Sequence, residues 1–341
     1  MISSIEQQKK RKFGLQDVIA MLKTKTLDKR IYKMTTLKTD TNYYGSKYTR
    51  INNGDIVNNN HFSFLIGKNK RKLTVNNIEV NSYWYRRSKI PDVVINDANW
   101  NISLTFSVKS HLRSELSALN NGLSACSKGK ISLSNPLTAK SDKVSDLVEA
   151  SIVGLTIPPT IITNDKFELL KFVKRHKDII VKNIANAYPH YIDNGIYSTY
   201  TSKVDIDDIE KYPDKLFPAL FQKRIEKKFE IRSFIIKNKI YSAAIFSQQN
   251  EETSIDFRKY SSSKPNRIVP FKLPRKVEKC LFRLMEKLRL DTGSIDLIRT
   301  EDDFVFLEVN PVGQFGWIST PCNFHIEKRI AEYLIGYEEK S

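Results

Sequence analysis

The chain of 341 residues contains only three cysteines, Cys126, Cys280 and Cys322. They are too few and too widely spaced for a disulfide framework or a zinc site, so we expect reduced packing residues. No segment approaches the ~18 uninterrupted apolar residues of a membrane-spanning helix. The polar start, Met1–Lys10, lacks the hydrophobic region of a signal peptide. These absences predict a cytoplasmic protein with no membrane partner.

Several familiar catalytic patterns are also missing. The five histidines do not have the spacing of metal ligands, and there is no Gly-x-Ser-x-Gly elbow or Walker phosphate loop. These absences argue against nucleophilic enzyme catalysis. The sequence also has no internal repeat or low-complexity tract.

Positive charge is in excess, because 56 Lys and Arg residues face 38 Asp and Glu residues, a formal net charge of +18. Such a field attracts nucleic acid, an anionic membrane surface, or an acidic polypeptide or nucleotide. The basic residues are spread along the chain, apart from a cluster at Lys9–Lys12, and do not interleave with aromatic residues. We therefore disfavour nucleic-acid binding and expect a solvated basic surface that would attract an acidic peptide.

The length and the 40% hydrophobic content fit a soluble protein of two or three domains. The first 125 residues contain apolar runs at strand and helix spacing, which predicts a mixed α/β (α+β) fold. The predicted strands are Phe62–Ile66, Ile78–Tyr85, Val93–Ile95 and Ile102–Val108, and the predicted helices lie near Leu15–Lys23 and Leu112–Ala125.

The middle of the chain has clear helix signals. Ser141 is a candidate N-cap, and Gly154 has the position of a C-terminal glycine. The apolar positions between them follow the helical period and are Val144, Leu147, Val148 and Ile152. Lys143 falls in the first turn, where the helix dipole favours anions, so a nearby phosphate would explain it. An exposed lysine is the alternative.

Two further elements follow in this region. A second helix is predicted to begin near Thr163–Asp165, and Asp178–Lys182 reads as a short buried strand that ends in a lysine. Closer to the C-terminus, a helix over Arg275–Arg289 and another near Phe324–Ile335 are predicted to pack in the core.

The segment Gly293–Pro311 is the most informative part of the sequence, because it reads as two strands around an acidic turn. With the turn centred on Asp302, Asp296 lies opposite Glu308, Ile298 opposite Phe306 and Thr300 opposite Phe304. Strand alternation then places Glu308 and Asn310 on one face, roughly 7 Å apart. Leu307 and Val309 would point the other way.

Three oxygen ligands at this spacing suit Mg²⁺ shared with nucleotide phosphates. An ordinary hairpin with solvated acids is the alternative. The apolar neighbours of the acids argue against it, because buried carboxylates need a cation or a hydrogen-bond donor.

The run Leu307–Trp317 resembles the metal-binding strand of the ATP-grasp ligases. Among them it is most similar to the ribosomal-peptide maturases that make graspetides, or omega-ester-containing peptides, of the grasp-with-spasm type. The resemblance extends from Asn135 to the C-terminus. It implies an ATP-grasp fold with an N-terminal α/β pre-ATP-grasp domain over residues 1–130, a central lid over 131–220 and a catalytic subdomain over 221–341. The basic start departs from the usual apolar first strand of the family.

The resemblance also implies roles for individual residues. Asp296, Glu308 and Asn310 match the metal ligands, and Lys143 and Lys182 match lysines that reach nucleotide phosphates. The implied nucleotide-binding set continues with the hinge residues Gln222, Lys223, Arg224 and Ile225 and with Glu230, which matches the acid at the ribose hydroxyls. The usual glycine-rich loop after the second lysine is not evident in residues 183–200.

Two arginines are implied to take part in catalysis. Arg258, in the run Asp256–Arg258, matches an arginine that binds the nucleotide and neutralises the transferred phosphoryl group. Arg232 matches one that points to the phosphate and acyl region. It shares a strand face with Glu230, and the alternative for these side chains is a cross-strand ion pair.

The implied activity uses ATP and Mg²⁺ to phosphorylate Asp or Glu side chains of an acidic precursor peptide, composed of a leader and a core. A Ser or Thr hydroxyl or a Lys amine of the peptide then closes a macrocyclic ester or amide. The related maturases form homodimers. Two alternatives stay open, a ligase that adds an amino acid to a small molecule or protein terminus, and a basic nucleic-acid-binding protein that retains the fold.

Overall fold

A computed structural model of the chain describes most of residues 61–336. The described ranges are residues 61–68, 70–86, 102–126, 130–140, 142–185, 190–192, 195–197, 201–247 and 266–336. The predicted elements at Leu15–Lys23 and Val93–Ile95, and the candidate catalytic residue Arg258, lie outside them. The chain divides into two compact units, residues 1–132 with 334–341, and residues 133–333.

The first unit contains a small antiparallel sheet with the order β1-β2-β3. Its elements are β1 (Phe62–Gly67), β2 (Lys70–Val75), β3 (Ile78–Glu79), β4 (Ser82–Trp84), helix α1 (Ile102–Cys126) and most of β5 (Ile131–Leu133). The strand predicted at Phe62–Ile66 is confirmed. Asn76 and Asn77 both have positive φ, as a two-residue hairpin turn with right-handed strand twist requires. Sequence reasoning missed β2, and the strand predicted over Ile78–Tyr85 is two short strands.

The strand predicted at Ile102–Val108 is wrong, because these residues form the first two turns of α1. Apolar residues at period two are typical of a strand, whereas a helix repeats about every 3.6 residues. In this helix Phe106 is 72% exposed and Leu112 is buried. Intrinsic preferences differ by less than about 1 kcal/mol per residue, so the longer helix that continues from Leu112–Ala125 prevails over the local pattern.

The second unit holds two larger sheets. Its strands are β6 (Thr160–Asp165), β7 (Ile179–Lys182), β8 (His190–Ile192), β9 (Gly195–Tyr197), β10 (Ser202–Val204), β11 (Lys215–Lys223), β12 (Phe229–Ile236), β13 (Lys239–Phe246), β14 (Arg267–Pro270), β15 (Thr292–Arg299) and β16 (Phe304–Asn310). Its helices are α2 (Lys143–Ile152), α3 (Lys166–His176), α4 (Ile206–Glu210), α5 (Arg275–Lys287), α6 (Gly316–Ser319) and α7 (Ile326–Ile335).

The four-stranded sheet has the order β10-β7-β11-β6 and is covered on one face by α3 and α4. Ile179 of β7 and Phe221 of β11 pack on that face against Leu169 and Val173 of α3. Because side chains alternate along a strand, Lys182 and Gln222 lie on the other face. The sheet therefore has one side that packs in its own core and another that carries the polar groups of Lys182 and Gln222.

The five-stranded antiparallel sheet has the order β14-β13-β12-β15-β16. One face packs against α5 and α2 in the main core, to which β12 contributes Ile231 and Ile235 and β15 contributes Ile295 and Leu297. The predicted packing of the helix near Arg275 is confirmed, since Leu281 and Leu284 are fully buried there. The opposite face of the sheet carries the polar residues that the sequence singled out.

Helix α2 lies where the sequence pattern predicts it, but the structure corrects the residue at its N-cap and the residues of its buried face. Asp142, rather than Ser141, is the N-cap, and its carboxylate accepts hydrogen bonds from the Val144 and Ser145 amides. Gly154 has φ +89, which glycine adopts without strain. The buried face holds Asp146, Leu147 and Ala150. The predicted apolar stripe is therefore only partly right, because Val148 is 52% and Ile152 is 65% exposed.

Among the described residues, no helix combines the length and the apolar composition needed to cross a membrane.

Candidate nucleotide and metal site

Asp296 and Glu308 lie opposite each other on β15 and β16, as the sequence predicts. The remaining register differs from the prediction. Leu297 pairs with Phe306, and Arg299 pairs with Phe304, so Leu307 is an extra residue in β16. This β-bulge shifts the pairing by one residue, and a hairpin with the observed turn but without the bulge would place Asp296 opposite Leu307.

The bulge also changes which residues of β16 face the core. Phe306 and Val309 both belong to the main core although they are three positions apart, whereas an uninterrupted strand separates core residues by two. Leu307, expected in that core, is half-buried. The extra residue thus allows Phe306 and Val309 to pack while Glu308 stays opposite Asp296.

Asn310, at the end of β16, is fixed by a tight turn. Its side-chain Oδ1 accepts a hydrogen bond from the Val312 amide at 3.2 Å, and its carbonyl accepts one from the Gly313 amide at 3.0 Å. A Cβ at Gly313 would lie only 2.4 Å from Ser294 Cβ, so this approach requires glycine. The turn therefore brings Asn310 opposite Ser294, next to the acidic pair.

Arg232 forms a buried ion pair with Asp296. The two residues are opposite each other on β12 and β15, and Arg232 Nη1 lies 2.6 Å from both carboxylate oxygens. Their exposed fractions are 6% and 7%. The guanidinium also lies 5.6 Å from the centre of the Trp317 ring. The cross-strand ion pair that the sequence allowed is therefore formed, and it is desolvated rather than exposed, while the role of Arg232 towards phosphate stays a prediction.

The donor set fits a magnesium ion that is shared with phosphates. The described part of the chain has no group of three His, Cys, Asp or Glu residues that could hold a metal, and the candidate set here consists of two carboxylates and one amide instead. Two carboxylates and one amide oxygen are the protein ligands that Mg²⁺ uses when phosphate and water oxygens complete its octahedron. Asp296 retains acceptor capacity beside Arg232, because an ionised carboxylate has about four lone-pair sites.

Glu230 lies two residues before Arg232 on the same face of β12, with Phe229 and Ile231 packed in the core as predicted. Its Oε1 lies 2.5 Å from Lys227 Nζ. Burial raises the pKa of the Glu230 carboxyl, although the Lys227 ammonium and the nearby Ser247 hydroxyl act in the opposite direction. Sequence reasoning missed Lys227. The signal was its position three residues before Glu230, at the entrance to a buried strand.

Lys182 and Gln222 are joined across the four-stranded sheet. Lys182 Nζ donates to Gln222 Oε1 at 2.8 Å, and Gln222 Nε2 donates to Thr160 Oγ1 at 2.9 Å. Gln222 is 2% exposed, so it bridges neighbouring strands and holds the lysine ammonium at the sheet face. Lys182 and Gln222, which the resemblance places in the implied nucleotide-binding set, are therefore in direct contact.

Lys143 is brought to the same end of that sheet. Its Nζ donates to the carbonyls of Asn183 and Ala185, at 3.1 and 3.3 Å, directly after Lys182 in the chain. Beyond this point, β8 and β9 form a hairpin in the region where the sequence lacks a glycine-rich loop.

The hinge between β11 and β12 is anchored through its first residues. The Lys223 amide donates to the Pro159 carbonyl and the Arg224 amide to the Asp178 carbonyl. The Arg224 side chain also pairs with Asp178 at 2.5 Å. A nucleotide base would therefore have to pair with the carbonyls of this segment or with the amide of Ile225, which is half-buried.

Asp146 of α2 is a second residue that sequence reasoning missed. It is 4% exposed, and burial raises its pKa to about 7, with further contributions from the negative charges of Asp142 and Glu308. It follows Lys143 by three residues and precedes Ala150 by four, so helical spacing places the three on one face. That face packs against β16 and carries a titratable carboxyl close to the candidate metal site.

No protein-family model matches the chain, and no curated protein matches it. Solved structures do. A RiPP-associated ATP-grasp ligase of Chryseobacterium gregarium, in complex with ADP and a leader and core peptide, is 24% identical with a TM-score of 0.75, over 90% of this chain and 93% of that one. The macrocyclase MdnC of Microcystis aeruginosa MRC, bound to the precursor peptide MdnA, is 24% identical with a TM-score of 0.72, over 92% and 98%.

The ATP-grasp ligase PsnB with a minimal precursor is 16% identical with a TM-score of 0.70, over 92% of this chain and 97% of that one, and it was also solved with Mg and ADP. The chain therefore has the fold of the ATP-grasp ligases. Within that fold, the described nucleotide and metal candidates lie in the second unit, on strands, on helix α2 and in the segment between β11 and β12, over residues 143–310.

Proposed function

We propose that this protein is an ATP-dependent ligase that closes macrocyclic esters or amides in an acidic ribosomal precursor peptide. The main support is the polar face of β12, β15 and β16, where Asp296, Glu308 and Arg232 converge in an ATP-grasp fold. Two acids and a fixed arginine on one rigid sheet suit phosphoryl transfer, which depends on positioning and charge stabilisation.

The nucleotide would be held by residues from both sheets. Lys143 and Lys182 would neutralise the phosphates, and the hinge residues and Glu230 would bind the nucleoside. Asp296, Glu308 and Asn310 would hold Mg²⁺, which when bound shields the negative charge of the phosphates. Arg258 would contact the transferred group, a role that the resemblance alone carries.

The reaction has two balanced steps. A carboxylate oxygen of an Asp or Glu in the peptide attacks the γ-phosphorus, and the bond to the bridging oxygen breaks to release ADP. A Ser or Thr hydroxyl, or a Lys amine, then attacks the acyl carbon, loses its proton and expels inorganic phosphate. The net loss from the peptide is one water per ring.

The peptide substrate is supported by charge and by the solved structures. The excess of 56 basic over 38 acidic residues gives a field that attracts an acidic peptide and ATP together. The Chryseobacterium ligase and MdnC were solved with their leader and core or precursor peptides. By the resemblance of the sequence to the graspetide maturases we propose a homodimer. We also propose a cytoplasmic location.

Mass spectrometry of a candidate precursor incubated with enzyme, ATP and Mg²⁺ tests the function. We expect a loss of about 18 Da per ring, with one ADP formed for each. A gain equal to an amino-acid residue, dependent on free amino acid, would instead identify an amino-acid ligase. No change in mass together with steep salt-dependent DNA or RNA binding would identify a nucleic-acid-binding protein.

Lys182→Ala should weaken ATP binding, because it removes a charge-assisted contact worth on the order of 1.5–3 kcal/mol. Isothermal calorimetry should therefore give a Kd raised by about 10–100-fold, and Lys143→Ala should act in the same direction. Lys203→Ala is the control, since it removes the same charge from the same sheet at an exposed pair with Asp178. Unchanged affinity in both test variants would exclude the phosphate role.

A further inference from the structure

The side chain of Lys227 is buried, although the residue lies in the segment that connects β11 to β12. Its side chain is 8% exposed, and that of its partner Glu230 is 9% exposed. Burying two charges carries a large desolvation penalty that their attraction only partly offsets, so such a pair is weak evidence for a stabilising role. Glu230 lies two residues before Arg232 on β12, and the charge of Asp296 acts on its carboxyl, so the pair lies at the candidate site.

The neighbouring lysine shows that burial is specific to one position. Lys228 pairs with Glu301, and the two side chains are 47% and 72% exposed. The two consecutive lysines thus differ in environment, although they have the same charge and length. Of these two lysines, Lys227 is the one whose ammonium pairs with an acid of the candidate nucleotide site.

The second oxygen of Glu230 points to the function of the pair. Oε1 is paired with Lys227, whereas Oε2 is buried and makes no hydrogen bond of normal geometry within the described residues, although the Ser247 hydroxyl lies near the carboxyl. A buried acceptor without a donor is costly, and such groups are normally satisfied. The hydroxyls of a ribose are donors of the kind that a carboxylate oxygen accepts at a short distance.

We propose that Lys227 is a positioning residue that acts through Glu230 and makes the site selective for ribonucleotides. By holding Oε1, the Lys227 ammonium favours the charged form of the carboxylate and fixes it in one orientation, with Oε2 presented to a ribose hydroxyl. This inference rests on the proposed function, because it takes the ligand to be a nucleotide.

Affinities for ATP and for 2′,3′-dideoxy-ATP, measured by calorimetry in the presence of Mg²⁺, test the inference. Wild-type protein should prefer ATP by about tenfold or more, since a site that hydrogen-bonds a hydroxyl rejects the analogue without it. In Lys227→Met the preference should fall towards one, and Lys227→Arg should restore part of it because it keeps the charge. Lys228→Met is the matched control and should keep the wild-type preference.

A double-mutant cycle separates this role from a general effect on folding. If Lys227 acts through Glu230, Lys227→Met should have no further effect on the preference in a Glu230→Gln background, and this double variant also avoids an unpaired buried charge. Wild-type preference in Lys227→Met, or additive effects in the cycle, would overturn the inference and leave the proposed function intact. Absence of ATP binding by the wild-type protein would overturn both.

Discussion

Replacing Glu308 by glutamine should abolish ligation while the protein stays folded. The substitution keeps the volume of a half-buried side chain and removes the charge that would hold the proposed Mg²⁺. Metal stabilisation of the transition state is worth several kcal/mol, so we expect kcat to fall by at least about a hundredfold. Ring formation by mass spectrometry and ADP release give the rate, and thermal melting reports the fold.

Glu301→Gln is the matched control for this experiment. Glu301 lies in the turn of the same hairpin, is exposed and pairs with Lys228. Its replacement should leave turnover near the wild-type value. A wild-type ligation rate in Glu308→Gln at ordinary Mg²⁺ would exclude Glu308 as a metal ligand, whereas partial recovery at high Mg²⁺ would support it.

Arg232→Met should lower the free energy of unfolding by about 3–5 kcal/mol, because it leaves the Asp296 carboxylate buried without its cation. Urea denaturation at neutral pH measures this change. Arg224→Met is the control, since its pair with Asp178 has side chains 36% and 40% exposed and should contribute about 0–1 kcal/mol. The same loss from both variants would show that the buried pair has no special role in stability.

The pair also limits what substitutions of Asp296 can reveal. Asp296→Asn removes a candidate metal ligand and at the same time leaves Arg232 buried without its anion, so activity and stability should both fall. The double variant Arg232→Met/Asp296→Leu should recover much of the stability, because an apolar pair of similar volume avoids the desolvation of two charges. Glu308→Gln is therefore the cleaner test of the metal site.

The register of the acidic hairpin illustrates how far local patterns predict a site. Alternation and the acidic turn led to the Asp296–Glu308 pair, but with the turn centred on Asp302, whereas the observed centre lies between Glu301 and Asp302 and shifts the pairing by one residue. The observed turn is closed by Thr300 and Asp303, and the bulge at Leu307 restores the pairing. Nothing local signals a bulge, because the cost of the extra residue is offset only when Phe306 and Val309 both reach the core.

Helix α2 shows the same limit. Its period, its first-turn lysine and its terminal glycine are local signals and were all predictable. Which side of the helix is buried was not, because Val148 is as apolar as Leu147 and only contacts with the sheets decide between them. The buried acid Asp146 was missed for the same reason.

The sequence by itself determined about half of the helices and strands of the second unit and the residue types of the candidate site. These follow from spacing, from turn residues and from the resemblance of Leu307–Trp317. Only the tertiary structure decided that Arg232 pairs with Asp296 and that Lys227 pairs with Glu230. It also decided that Lys143 donates a hydrogen bond to the carbonyl of Asn183, directly after Lys182. Some of these pairs join segments that are far apart in the sequence, and others form only because both charges are buried. Burial sets the free energy of a charge, and a local sequence pattern does not contain the degree of burial.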